Sequence, residues 1–297
     1  MATLTVEPHG PVRRLSAWLH RRGGLKLFLL LLPPLGWMVV VYLGALTLLF
    51  LSAFWRLDPF TSLIQRDWGL QNFRTLIEES VYRTIALRTL EIAAAVTITD
   101  IVLAFPLAYY AARMATRRMK AVLLVAVILP LWSSYLVRVF AWKVILQGNG
   151  FLDWLLAKAG LDLTVGNSQW ALWLVFCYLW LPFVILPIYA ALERVPDSYL
   201  EASSDLGATG WTTFRRVIWP LAFPGVVAGS IFSFSLTLGD YIAPTLVGNT
   251  RFIGNVVYES VGVSGNVPFA AAYALVPVAI MAIYLVLARR LGAFEAL

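Results

Sequence analysis

The sequence predicts an all-α, polytopic membrane protein with six transmembrane helices. Two observations carry that prediction. Of 297 residues, 60% are hydrophobic and only 13% are charged, against a charged share of about 25% in an ordinary soluble domain. Apolar runs of spanning length also recur along the chain. A spanning helix needs about 20 mostly apolar residues, because each residue rises ~1.5 Å across a hydrocarbon layer of ~30 Å.

Six runs meet that requirement: Leu27 to Ala53, Leu87 to Ala112, Ala121 to Val144, Gln169 to Leu192, Val217 to Thr245 and Phe269 to Ala288. Open strands are excluded as spanning elements, since lipid offers no partner for an unpaired backbone N–H or C=O. The first run follows Arg13, Arg14, Arg21, Arg22 and Lys26. It is too long for the apolar region of a cleavable signal, about 7 to 15 residues, and reads as an uncleaved first span. The third run is crowded by Arg138 and Lys143 at one end, and most runs contain proline, such as Pro106, Pro130, Pro182 and Pro224. Kinked helices are therefore expected, or simply the greater tolerance for proline in membrane helices.

The net charge of +7 reports orientation rather than nucleic-acid binding. With the N-terminus inside, cytoplasmic segments hold the N-terminal cluster, Arg113, Arg117, Arg118, Lys120, Arg194, Arg215, Arg216, Arg289 and Arg290, while outer loops keep fewer basic residues. That excess places both termini in the cytoplasm. The expected organisation is a basic N-terminus over 1–26, a membrane domain over 27–288 with a distinctive loop at 193–220, and a short tail over 289–297. No internal repeat or appended soluble domain is seen.

The loop between the fourth and fifth spans carries its own local chemistry. Pro196 suits a first helical turn, and Ser198 with Glu201 has capping-box spacing; both cannot hold, so the start is open by two residues. Tyr199, Ala202 and Leu206 share one face and Glu201 and Asp205 another. Gly207 is placed to end the helix in a left-handed conformation. A second amphipathic turn over Trp211 to Val217 carries Arg215 and Arg216 before Pro220 enters the membrane. Such a loop is either a docking helix or a connector lying on the membrane surface.

The spacing of Glu201-Ala202-Ser203, Gly207, Val217 and Trp219-Pro220 resembles the EAA loop of permease subunits of ATP-binding-cassette importers. Ser203, Val217 and Trp219 depart from the usual alanine, isoleucine and leucine. The stretches Phe105-Pro106-Leu107-Ala108-Tyr109, Pro130-Leu131-Trp132 and Leu238-Gly239-Asp240-Tyr241-Ile242-Ala243-Pro244 are similar to the spermidine/putrescine branch. Relatives of that branch also carry iron, thiamine or opines. The resemblance implies a fold whose later five helices form the conserved importer permease core, with the first wrapping outside it. It also implies ATPase subunits as partners, a second permease subunit and a solute-binding protein, in the bacterial inner membrane. Glu201, Ala202, Asp205, Gly207, Arg215 and Pro220 would form the ATPase-coupling element.

No phosphate-binding G-x-x-x-x-G-K-[ST] loop occurs, and His9, His20 and Cys177 cannot assemble a transition-metal site, so no cofactor is expected and the permease itself is not an enzyme. A secondary transporter driven by an ion gradient is the other reading, though it calls for related halves that the sequence lacks.

Acids within spans need a partner, water or solute. Glu91 is expected to pair with Arg88 one turn earlier. Asp100, in the second span, either lines the translocation cavity, bonds to a neighbouring helix or acts in gating. Asp240 beside Tyr241 either meets a cationic solute or pairs with Arg138. Trp132, Tyr135, Trp180 and Tyr241 are the aromatic candidates for the lining, where cation–π attraction adds ~0.5 to 2 kcal/mol each. Ordinary packing is the competing role for all four.

Overall fold

The computed structural model describes residues 23–148, 150–160, 166, 168–248 and 250–290. Most of the basic N-terminus, the two histidines and the last seven residues lie outside them. Among the described residues, five helices are long and apolar enough to cross a membrane. They are α1 (Lys26–Ser52), α3 (Ser80–Met114), α7 (Gln169–Glu193), α9 (Gly210–Gly239) and α12 (Val267–Arg290). Shorter helices join them: α2 (Gln71–Glu78), α4 (Arg117–Ile128), α5 (Tyr135–Leu146), α6 (Phe151–Lys158), α8 (Asp197–Asp205), α10 (Ile242–Val247) and α11 (Ile253–Gly262).

The third expected span, Ala121 to Val144, is not one straight helix. Its two stretches, Arg117–Trp132 and Tyr135–Lys158, meet at 93°. Pro130 has no N–H to donate, the backbone tightens to a 3-10 turn over Leu129–Trp132, and Ser133 and Ser134 turn extended. Counted as one span, the broken pair brings the number among the described residues to six.

The fifth span differs at both ends. The expected separate turn at Trp211 to Val217 is the start of α9 itself. A widened π turn at Phe214–Ile218 lets the helix pass Pro220 without a break, because the carbonyls that lose a donor there are taken up by the wider register. The far end stops at Gly239 rather than Thr245, where Asp240 adopts an extended ψ of 135°.

The centre of the bundle is α3, α7 and α9. One half of the core joins Ala104, Ala108 and Ala111 of α3, Val184, Ile188 and Leu192 of α7, and Ile218, Ala222 and Val226 of α9. The other joins Ile92 and Val96, Val139 and Leu146 of α5, Phe176 and Trp180 of α7, and Ala243 and Val247 of α10. The α7–α9 crossing is set by Gly225 and Gly229. A Cβ at Gly225 would meet the Pro187 oxygen at 2.6 Å and the Ala191 Cβ at 2.5 Å, and one at Gly229 would meet the Val184 Cα at 2.9 Å. This is the small-xxx-small device by which membrane helices approach closely.

The segment between α1 and α3 was read only as an outer loop, yet it folds. A two-stranded antiparallel hairpin pairs Arg56 with Gln65 and Leu57 with Ile64. Asp58 accepts from the Phe60 and Thr61 N–H groups and from Gln65 Nε2 at 2.7 to 3.1 Å. The backbone bonds, Thr61 first and then Phe60, hold its carboxyl below the usual carboxylate range. Most of helix α1 lies outside the bundle, its most apolar window wholly unburied, while its last turns, Gly44–Ser52, pack on α12.

Replacing Gly229 with alanine is expected to lower the melting temperature in detergent, with an overpacking cost of ~1 to 3 kcal/mol. Gly44→Ala on α1, where a Cβ meets nothing within 4 Å, should leave it unchanged.

Candidate functional site

Two places in the fold gather the residues singled out by sequence, and α9 joins them. The first is the exposed loop between α7 and α9. Helix α8 starts at Asp197 with Pro196 as its cap residue and no side-chain capping bond. The Ser198–Glu201 capping box therefore does not form: the helix starts before Ser198, which falls inside the first turn. Asp197 in that turn complements the helix dipole.

The other end matches expectation in full detail. Gly207 has φ +71°, its N–H donates to the Ser204 carbonyl at 2.9 Å and the Ala208 N–H to the Ser203 carbonyl at 3.1 Å. Together these form a Schellman stop. Thr209 then caps the start of α9, accepting from the Thr212 N–H, and the Ser203 and Thr213 hydroxyls meet at 2.7 Å, bracing α8 against α9.

Glu201, Ala202 and Asp205 are exposed on α8, as are Arg215 and Pro220 on α9. Glu201 and Asp205 make no ion pair among the described residues. The apolar Leu206 is 87% exposed and Trp211 70%. A cavity of about 730 Å³ lies against this loop, lined by Tyr199, Ala202, Leu206, Thr212, Arg216 and Pro220 among others.

Two basic residues, read in the sequence only as orientation signals, anchor the base of the loop. Arg113 Nη1 reaches Asp197 Oδ1 at 2.7 Å, and its Nη2 donates to the carbonyls of Leu192, at 2.7 Å, and Val195. Lys120 reaches Glu193 at 2.5 Å and lies over the Tyr189 ring. The one legible signal was the pair of acids flanking the loop's start, Glu193 and Asp197, which have no basic residue one turn away on their own helices.

The second place is the far end of α9. The extended backbone at Asp240 lets its Oδ1 accept from the N–H groups of Ile242 at 2.8 Å and Ala243 at 2.9 Å, so it caps α10. Its Oδ2 accepts from the Tyr135 hydroxyl of α5. Tyr135 stacks on Trp180 at 5.9 Å and 13°, and Tyr241 stacks on Tyr258 at 4.7 Å and 14°. Tyr135, Trp180, Asp240 and Tyr241 line one cavity of about 320 Å³ with Ser235 and Gly239. That volume is at the lower end for small-molecule sites, ~300 to 1,000 Å³.

Two predicted lining residues lie elsewhere. Trp132 is 84% exposed at the break after α4. Asp100 is fully buried between helices, with Oδ2 accepting from Ser233 of α9 at 2.7 Å. Of its open roles, the interhelix bond is the one seen. The Arg88–Glu91 ion pair is absent among the described residues, because Glu91 points to the exposed outside of α3 while Arg88 borders a groove with Arg251 and Glu259. Nor does Arg138 pair with Asp240, whose oxygens are already engaged.

Between the two places, Leu221, Pro224, Ala228 and Ile231 form a stripe on α9 that continues to Ser235 and Gly239. With Pro187, Ala190 and Ala191 of α7 it lines a cavity of about 470 Å³ that reaches Tyr199. No group of three metal-ligating side chains occurs among the described residues.

Residues 104–294 match the family described as the binding-protein-dependent transport system inner membrane component. The inner membrane ABC transporter permease protein YdcU of Escherichia coli (strain K12) is 48% identical, over 96% of this chain and 95% of that protein. The spermidine/putrescine transport system permease protein PotB of Haemophilus influenzae is 30% identical, over 72% of this chain and 76% of that protein. A bacterial alginate ABC transporter, solved in complex with an alginate pentasaccharide-bound periplasmic protein, contains a chain of the same fold. Its TM-score is 0.73 at 16% identity, covering 94% of this chain and 98% of that one.

Arg113→Ala is expected to raise backbone hydrogen exchange across 197–209 at least several-fold, since charge-assisted bonds contribute ~1.5 to 3 kcal/mol each. Asp197→Asn should do far less, its side chain being 82% exposed and the surface pair correspondingly weak.

Proposed function

The chain belongs to the family of binding-protein-dependent transport inner membrane components and is a permease subunit of an ATP-binding-cassette importer, and from that premise we propose that it forms half of a translocation path for a polyamine. The observation that carries this reading is the small cavity at Asp240. One carboxylate faces it between the stacked Tyr135–Trp180 pair and Tyr241. An alkylammonium needs a negative charge for its head and aromatic or apolar walls for its stem, and cation–π attraction of ~0.5 to 2 kcal/mol per ring favours such walls. The spermidine/putrescine relative supports the same class. The family's other small solutes remain the alternative cargo; an ion-gradient carrier does not fit an ATP-binding-cassette permease.

The ATPase is a separate subunit. In this reading, α8 and the cavity beside it, over 193–220, receive one ATPase of a pair, with Glu201 meeting a basic group there. A second permease chain completes the path along the α9 stripe, and a solute-binding protein delivers cargo at the Asp240 end. Both termini face the cytoplasm, on the same side as α8. Because α9 runs unbroken from Gly210 to Gly239, a push on the loop reaches the cavity through one rigid helix.

Glu201→Lys is expected to abolish ATP-driven uptake in vesicles and weaken co-purification of the ATPase, with membrane insertion intact; normal uptake would remove the coupling role. Asp240→Asn should raise the KM for putrescine roughly tenfold, a loss of ~1.4 kcal/mol, and unchanged uptake would remove Asp240 from the path.

A further inference from the structure

Arg138 is the most unusual charge in the fold. Its Nε and Nη1 atoms are buried within this single chain and have no hydrogen-bond partner. A guanidinium presents five donors and stays charged, and donors left without a partner in a membrane protein interior are costly. These two atoms are shielded by this chain's own residues. Arg138 as a whole is half-buried, and a partner for these two shielded atoms is sought among the chain's own carboxylates.

The surroundings name that carboxylate. Arg138 lies one turn beyond Tyr135 on α5, and the two share a helical face at this three-residue spacing. The Tyr135 hydroxyl already donates to Asp240 Oδ2. Helix α5 follows the sharp bend at Ser133 and Ser134, Asp240 sits in the break between α9 and α10, and α5 packs on α10. Both groups are therefore mounted next to breaks in the helices.

We propose that Arg138 is the chain's own counterion for Asp240: it takes the carboxylate when α5 swings about its hinge, and so displaces a cationic solute from the cavity toward release. The hydroxyl of Tyr135 holds Asp240 in the state seen here, and solute ammonium competes with Arg138 in the other. The solute part of this proposal rests on the polyamine reading; the exchange itself does not.

Two measurements test it in the assembled transporter with its ATPase, second permease and binding protein. In a Cys177→Ser background, the pair Arg138→Cys and Asp240→Cys should cross-link with a short bifunctional thiol reagent in one nucleotide state, resting or vanadate-trapped, at least fivefold more than in the other. No cross-link in either state overturns the exchange, whatever the cargo. For putrescine uptake in proteoliposomes, Arg138→Gln should lower both KM and maximal rate several-fold, since solute then leaves Asp240 slowly, while Arg138→Lys stays near wild type. An unchanged KM, or an equal fall of KM in an Asp240→Asn background, overturns the competition. A higher KM does so too, marking Arg138 as a direct solute ligand. Wild-type transporter that does not take up putrescine refutes the polyamine reading and leaves the cross-linking result to decide the exchange.

Discussion

The close crossing of α7 and α9 at Gly225 and Gly229 is the contact on which the rest of the structure depends. Without side chains there, α9 settles onto the backbone of Pro187 and Val184, and neither helix has room to slide or roll independently. The two become one body. Helix α9 spans 30 residues, ~45 Å at 1.5 Å per residue, and carries the exposed loop at one end and Asp240 at the other. In the proposed coupling, such a rod carries a push on the loop to the cavity at its opposite end.

The two ends of that rod are built differently, and each construction follows from its chemistry. At the loop, the Schellman stop at Gly207, the threonine cap at Thr209 and the Ser203–Thr213 contact make α8 a rigid appendage of α9, while Arg113 and Lys120 tie its base to the neighbouring helices. At the other end the backbone breaks at Asp240, and the freed N–H groups of Ile242 and Ala243 are satisfied by the same carboxylate that faces the cavity. One acid thus caps a helix, accepts from Tyr135 and presents charge, which is why it is seated at a break instead of along a regular helix.

Much of this was legible in the sequence. Apolar runs located the spans, though not the break in the third or the end of the fifth, Gly207 marked the stop of α8, and Asp240, Tyr241, Tyr135 and Trp180, candidates by type alone, line one cavity. What was not legible depends on tertiary geometry. The bend at Ser133 was foreshadowed by Pro130, but proline alone does not distinguish a kink from a break; Pro220 and Pro224 lie in a continuous helix. The Ser198–Glu201 box fitted the local spacing and lost to Pro196, which takes the cap position itself and starts the helix two residues earlier, at Asp197. Arg88 and Glu91 have pairing distance in sequence, yet one faces a groove and the other the outside of the bundle. The anchoring by Arg113 rests on carbonyls some 80 positions away in the chain, which no local pattern encodes.

The rigidity of α9 is the claim most open to direct measurement. Spin labels placed on Gly210→Cys and Gly239→Cys, two exposed positions where an added side chain meets nothing within 4 Å, would report its length in the assembled transporter by pulsed electron resonance. The account predicts a single distance near 43 Å that is the same in the resting and nucleotide-trapped states, for 29 intervening steps of ~1.5 Å. A change between states larger than about one helical turn, ~5 Å, would show that α9 bends or unwinds during the cycle and contradict transmission through a rigid helix.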